Sequence, residues 1–212
     1  MQPKIKICGM TREEDALFAL ENGADYIGMI FHPGSPRCVS PEKAHRIMDF
    51  LRSKGYPSPP AIGVFVNEDV YTVMDYATKL DLYAVQLHGN ESPEYCKKIS
   101  ARVIKAIRVR EPADLEAIHA YDAWAFLCDA YHPEKYGGTG KRIDASLVTP
   151  YVSRRRIFLA GGLRPENVSD ALKTVMPFAV DVSSGVESAP GKKDHARIRG
   201  FIDAVKRCGL EE

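Results

Sequence analysis

No run of 18 apolar residues occurs anywhere in the sequence, so no membrane-spanning helix is predicted. Charge of one sign is not in excess either. Lys plus Arg number 29 and Asp plus Glu 28, a formal net charge of +1. A nucleic-acid partner, which usually demands a basic surface, is therefore not expected. A small anion held by local groups remains compatible with this balance. Cysteine is sparse and odd in number: five residues, at 8, 38, 96, 128 and 208, follow no disulfide framework. That usage predicts a reducing, cytoplasmic setting. The opening MQPKIKICGM is interrupted by Lys6, and is too short and too charged for a signal peptide. No Ser/Gly-rich or charged linker divides the chain, so one domain spanning 1–212 is expected. Apolar residues at 45% and charged residues at 27% are ordinary for a globular domain. A chain of this length can bury about 70% of its unfolded surface, so neither disulfides nor a structural metal is needed.

Eight short apolar runs recur along the chain: 4–9, 26–31, 61–66, 84–89, 102–109, 125–130, 157–162 and 179–185. They are about six residues long and rich in Val, Ile and Phe, which are strand features. Several are continuously apolar, as expected of parallel strands covered on both faces. Helical periodicity fills the intervals at 11–23, 41–52, 67–80, 92–100, 112–121, 144–152, 165–175 and 193–208. Thr11 and Glu14 have capping-box spacing, and Gly23 offers a stop. Asn67 opens the third helical segment, and Pro93, Pro112 and Pro165 fall in predicted first turns. Eight strand–helix units predict an α/β fold, a single-domain (β/α)8 barrel with a closed, parallel eight-stranded sheet. A doubly wound sheet is the runner-up, but usually has five or six strands.

Barrel chemistry sits at the carboxyl ends of the strands. Those positions are Cys8-Gly9 after strand 1, His32 after strand 2, Gln86 and His88 on strand 4, and Asp129 on strand 6. Gly161-Gly162 follow strand 7, and strand 8 supplies Asp181 with Ser183-Ser184-Gly185. Barrels often bind phosphate between the loops after strands 7 and 8, where glycines let backbone N–H groups approach an anion. A lone Cys is most often a small buried apolar residue. The position of Cys8 at a strand mouth weakens that reading. An Asp closing the apolar run AFLCD must find solvent, a partner or a task. Cys8 and Asp129 could flank one ligand, whereas Cys128 should point the other way and be structural.

Taken in order, KICGMT, GADYIGMIF, SPRCVS, VQLHG, the Asp of LCDA followed by GGTGK, LAGGL and DVSSGVE closely resemble the phosphoribosylanthranilate isomerase family of tryptophan biosynthesis. These motifs run from residue 4 to about 193. The resemblance implies an Amadori rearrangement of N-(5-phosphoribosyl)anthranilate to 1-(2-carboxyphenylamino)-1-deoxyribulose 5-phosphate, with no metal and no cofactor. It implies Cys8 as general base and Asp129 as general acid. Arg37 would lie near the anthranilate carboxylate, and Gln86, His88 and Asp181 would line the substrate. Gly161, Gly162, Ser183, Ser184 and Gly185 would hold the phosphate. The family usually carries Phe-Asp-Trp after GGTGK, whereas this chain has Ile143-Asp144-Ala145. The glycine-rich stretch 131–140 reads as a mobile lid.

The expected partner is a small phosphorylated substrate, with no nucleic acid and no membrane, and the chain a monomer or homodimer. Two other readings stay open: a related sugar-phosphate isomerase, and a catalytically silent barrel that only binds a phosphorylated ligand. A histidine-pathway isomerase would require Asp in place of Cys8. A metal-dependent epimerase would require His-x-Asp where FHPGSP stands. A Cys8–His88 nucleophilic pair lacks an evident oxyanion motif. His45, His119, His132 and His195 are expected at the surface, and Arg154-Arg155-Arg156 in a solvated turn below strand 7.

Overall fold

The computed structural model describes residues 2–130 and 144–208. Eight strands close a parallel barrel in chain order: β1 (Lys4–Cys8), β2 (Tyr26–Ile30), β3 (Ala61–Phe65), β4 (Ala84–Leu87), β5 (Val103–Val109), β6 (Ala125–Ala130), β7 (Ile157–Leu159) and β8 (Ala179–Val182). Closure comes from β1 against β8, where Lys6 stands opposite Asp181. The α-helices are α1 (Glu13–Asn22), α2 (Pro41–Ser53), α3 (Val70–Lys79), α4 (Pro93–Lys97), α5 (Thr149–Val152), α6 (Val168–Thr174) and α7 (His195–Cys208).

Side chains alternate between the two faces of each strand, and the core divides accordingly. Outward residues such as Ile5, Ile7, Val85, Leu87 and Phe126 join the helix faces in one large cluster. Helix α2 shows why: Ala44, Ile47, Met48 and Leu51 lie one helical repeat apart and are all buried. Ser40 caps it by accepting from the Lys43 N–H, and Pro41 sits where a missing donor costs nothing. Inward residues Tyr26, Ile62, Ala84, Ile104, Leu127, Phe158 and Ala179 form a second, apolar cluster inside the barrel. This plug fills the lower end and leaves the upper end to polar groups.

Several local expectations are corrected. Thr11 does not cap α1. The helix begins at Glu13 after an extended Arg12, and the Thr11 hydroxyl donates to the Gly191 carbonyl instead. A contact 180 residues distant outcompetes the local motif. Gly23 does end α1, in a left-handed conformation at φ 108°. Helix α3 is capped by Asp69 rather than opened by Asn67. The Asn67 side chain accepts from the Asn90 N–H at 2.7 Å, which ties the third loop to the fourth. Pro165 precedes α6, whose N-cap is Asn167. Residues Pro112–Ala120 and Ala145–Val148 are 3-10 rather than α-helical. Strand β7 stops short of its glycine motif, where Gly161 and Gly162 adopt positive φ of 88° and 65°, and β8 stops at Val182 before a 3-10 turn at Ser184–Val186. An unanticipated hairpin, β9 (Glu187–Ala189) with β10 (Lys192–Lys193), follows β8.

Candidate active site

Strand alternation delivers the predicted residues to one place. Above the inward Ala84 of β4 come Gln86 and His88. Above Ala125 and Leu127 of β6 comes Asp129, and above Ala179 of β8 come Asp181 and Ser183. On β1 the same alternation turns Ile5 and Ile7 outward and Lys6 and Cys8 inward. Lys6, Cys8, Gln86, His88 and Asp129 are all buried.

Lys6 is the hub on the Cys8 side. Its ammonium donates to Asp181 Oδ1 at 2.8 Å and to Gln86 Oε1 at 3.0 Å. Burial works against its charge, but Asp181 and then Cys8 outweigh burial and hold the ammonium above its ordinary range. For Cys8, burial dominates and pushes the thiol up, and Asp181 adds to it. Lys6 and Lys193 pull the other way. Lys193 Nζ donates to the Cys8 carbonyl at 2.5 Å, to Ser183 O at 3.2 Å and to Glu187 Oε1 at 2.9 Å. Burial pushes Lys193 down, and Glu187 and Cys8 only partly offset it. Backbone close to the thiol leaves no room: a Cβ on Gly28 would lie 2.6 Å from Cys8 Sγ.

Arg37 is engaged with Glu187. Its Nε donates to Oε1 at 2.8 Å, and a second guanidinium nitrogen donates to Oε2 at 2.6 Å. This fork, together with Lys193, holds the Glu187 carboxyl below its ordinary range despite burial. The Arg37 stem lies over Gly9, at φ 79°, where a Cβ would be 2.7 Å from Arg37 Cδ and 3.1 Å from Ser183 Oγ. Arg37, Gly9 and Ser183 are thus brought together beside Cys8.

On the opposite side Asp129 Oδ1 accepts from the Ala130 N–H at 2.8 Å. Asp129 Oδ2 faces His88 Nε2 at 3.6 Å, and His88 Nδ1 lies 2.8 Å from Gln86 Nε2. Among the described residues, two buried side-chain polar atoms have no hydrogen-bond partner: His88 Nε2 and Ser183 Oγ. Buried polar groups are normally satisfied, so each points to a ligand position. The glycine loops adjoin them. A Cβ on Gly161 would lie 3.4 Å from Asp129 Oδ1, and one on Gly185 only 2.0 Å from the Leu163 carbonyl. The strand-7 and strand-8 loops therefore touch. A 3-10 turn at Ser184–Val186 opens its N-terminus there, where first-turn N–H groups favour an anion.

Sequence reasoning missed Lys6, Glu187, Lys193 and the pair Lys105–Glu91. Lys105 donates to Glu91 at 2.7 Å and to the Gly89 carbonyl at 2.8 Å, anchoring the loop that follows His88. A charged residue two positions before Cys8 in an apolar strand was a signal for Lys6. Glu187 and Lys193 had no local signal. Cys128 faces the helices, and burial pushes it up to about 12, an inert structural thiol. His195 is not merely a surface residue: it bonds buried Asp15 at 2.9 Å and stacks on Phe18. Arg156 lies over Trp124 and Phe178 beside a cavity of about 950 Å³ at the bottom of the barrel. That cavity is at the end opposite Cys8 and Asp129. The expected lid 131–140, with His132, lies outside the described residues, as does Ile143. Asp144 caps the short 3-10 turn after it, accepting from the Ser146 N–H.

A closed eight-stranded α/β barrel with a buried thiol, a carboxyl group and glycine–serine loops at its upper mouth has the architecture of a (β/α)8-barrel enzyme. The family model described as N-(5'phosphoribosyl)anthranilate (PRA) isomerase matches residues 5–204, and the chain belongs to that family. The N-(5'-phosphoribosyl)anthranilate isomerase of Trichlorobacter lovleyi is 49% identical over 206 residues, covering 97% of this chain and 98% of the relative. A crystal structure of the Thermotoga maritima enzyme shares 47% identity at a TM-score of 0.88, covering 97% and 99% of the two chains. A crystal structure of a phosphoribosyl anthranilate isomerase in complex with reduced 1-(o-carboxyphenylamino)-1-deoxyribulose 5-phosphate shares 45% identity at a TM-score of 0.85, with the same coverage.

Proposed function

We propose that Asp129 and Cys8 are the acid and base with which this chain isomerises N-(5-phosphoribosyl)anthranilate to 1-(2-carboxyphenylamino)-1-deoxyribulose 5-phosphate in tryptophan biosynthesis. Asp129 gives its proton to the furanose ring oxygen. The C1–O bond breaks as the anilino nitrogen lone pair forms the C1=N bond of a Schiff base. The Cys8 thiolate then removes the C2 proton, and the C–H electrons form the C1=C2 bond of an enolamine. Loss of the C2 hydroxyl proton and protonation at C1 give the ketone. No atom is gained or lost. The enzyme regains its starting state when a proton leaves Cys8 and one returns to Asp129.

One observation carries this reading: Cys8 and Asp129 both face inward above the apolar plug, and the two unsatisfied buried polar atoms, on His88 and Ser183, lie at the same mouth. The thiol is the minority-charged base, and Lys6 and Lys193 are the cations that stabilise its thiolate. Ser183, Ser184, Gly185, Gly161 and Gly162 hold the phosphate, while Gln86, His88 and Asp181 line the sugar. Arg37, fixed by Glu187, faces the anthranilate. The proposed domain is a single catalytic barrel over 1–212, in the cytoplasm. All these residues come from one chain, so a monomer or a homodimer would serve equally. The substrate is a phosphorylated small molecule, without nucleic acid or membrane. Among the described residues no helix is long and apolar enough to cross a membrane. The test is turnover of N-(5-phosphoribosyl)anthranilate by wild type, Cys8→Ala and Asp129→Asn with a chelator present. Chelator-resistant activity that collapses in both variants is expected, and undiminished activity in either variant removes that residue from its role.

A further inference from the structure

The ammonium of Lys6 can only donate hydrogen bonds, and it lies 3.0 Å from Gln86 Oε1. The carbonyl end of Gln86 must therefore face Lys6 and its NH2 must face away. That NH2 lies 2.8 Å from His88 Nδ1. An amide nitrogen donates and does not accept, so His88 Nδ1 must be bare. In a neutral imidazole the proton then sits on Nε2. This nitrogen is buried, has no hydrogen-bond partner among the described residues, and faces Asp129 Oδ2 at 3.6 Å. The other carboxyl oxygen of Asp129 is occupied by the Ala130 N–H.

A histidine beside an aspartic acid ordinarily takes its proton and forms an ion pair. Here that transfer would put a proton on Nδ1, facing the Gln86 NH2 at 2.8 Å, donor against donor. Rotating the amide by half a turn only moves the conflict. It sets the NH2 against the Lys6 ammonium, which Asp181 holds in place at 2.8 Å. Each step of the chain has one permitted direction, and that direction is set by the ammonium at its start.

We infer that Lys6 and Gln86 lock His88 in the Nε2-protonated tautomer, so that His88 does not compete for the proton that Asp129 delivers in ring opening. The inference rests on Asp129 being the acid, and it assigns Lys6 and Gln86 as positioning residues that act through His88. His88 then offers its Nε2–H to the same space into which Asp129 delivers its proton. It stabilises the carboxylate left behind without having competed for the proton beforehand.

The test begins with the unmodified protein. With ¹⁵N-labelled imidazoles at neutral pH, and His88 identified by the signal missing from His88→Asn, the spectrum should show an unprotonated Nδ1 and a protonated Nε2. A proton on Nδ1, or an imidazolium, overturns the lock whatever any variant does. Gln86→Glu keeps a partner for Lys6 but presents His88 with an acceptor. Nδ1 should then gain a proton, and kcat should fall roughly 100-fold, the scale of lost general acid catalysis, with KM little changed. Wild-type kcat in Gln86→Glu overturns the proposed consequence for Asp129. An Asp129→Asn protein that turns over normally, with His88 still in the stated tautomer, would instead remove the acid assignment while leaving the lock intact.

Discussion

Replacing Lys6 by methionine removes a buried ammonium within reach of Cys8 while keeping most of its volume. A unit charge about 4 Å away at an effective dielectric of about 20 is worth about 4 kcal/mol to a thiolate. Lys193 and local relaxation discount this. About 2–3 kcal/mol remains, which is roughly 30- to 150-fold less thiolate at neutral pH. The sign follows from the active form. A base must be deprotonated, and burial holds Cys8 above the ordinary thiol value of about 8.5, so wild-type kcat/KM should still be climbing as pH passes that point. In Lys6→Met the limb should move further to the alkaline side, and the deficit should shrink as pH rises. Profiles of kcat/KM from about pH 6 to 10 read both effects at once. The variant also leaves Asp181 without its cation, at a cost of about 3–5 kcal/mol. For a chain of this size that lowers Tm by roughly 6–20 °C, so the assay belongs well below the transition. A deficit constant at every pH would refute the electrostatic role of Lys6 toward Cys8.

Three further outcomes follow from the same geometry. Glu187→Gln leaves Arg37 and Lys193 buried without a carboxylate, and should cost on the order of 3 kcal/mol in a denaturant melt. Because Glu187 is held below its ordinary value of about 4.3, its contribution is present above that pH and is lost as pH falls through the lowered value; wild type should therefore lose its advantage over Glu187→Gln in acid. Gly28→Ala places a Cβ 2.6 Å from Cys8 Sγ and 3.0 Å from its Cα. Displacing the thiol by about 1 Å should lower kcat on the order of 100-fold, with KM nearly unchanged in steady-state assays. Ser183→Ala removes an unpartnered buried hydroxyl from the proposed phosphate position. A charge-assisted hydrogen bond of about 1.5–3 kcal/mol predicts a rise of roughly 10- to 150-fold in the inhibition constant for inorganic phosphate.

The barrel was legible because parallel strands buried on both faces leave an unmistakable apolar run, repeated eight times. The convergence of Cys8, Gln86, His88, Asp129, Asp181 and Ser183 at one mouth was legible because the carboxyl ends of barrel strands lie together. Lys6 was visible but misread. A lysine inside KIKICG argued against a leader peptide, yet the two-residue alternation that turns Cys8 inward turns Lys6 inward as well. Glu187 meets Arg37 from 150 residues away, and Lys193 reaches Cys8 from 185 away, so no local pattern announces either. The cap assigned to Thr11 failed for a related reason, since a local motif cannot report a competing partner at Gly191. Segments such as 112–120 and 145–148 are too short for periodicity to separate 3-10 from α geometry.

The division of labour between Cys8 and Asp129 is tested most directly with substrate deuterated at C2. Cys8→Ser weakens the base and makes C–H cleavage more limiting, so the isotope effect on kcat/KM should grow relative to wild type. Asp129→Asn slows ring opening, which precedes C–H cleavage, so the isotope effect should fall toward unity. An isotope effect that grows in Asp129→Asn and shrinks in Cys8→Ser, or that changes in neither, would contradict the assignment.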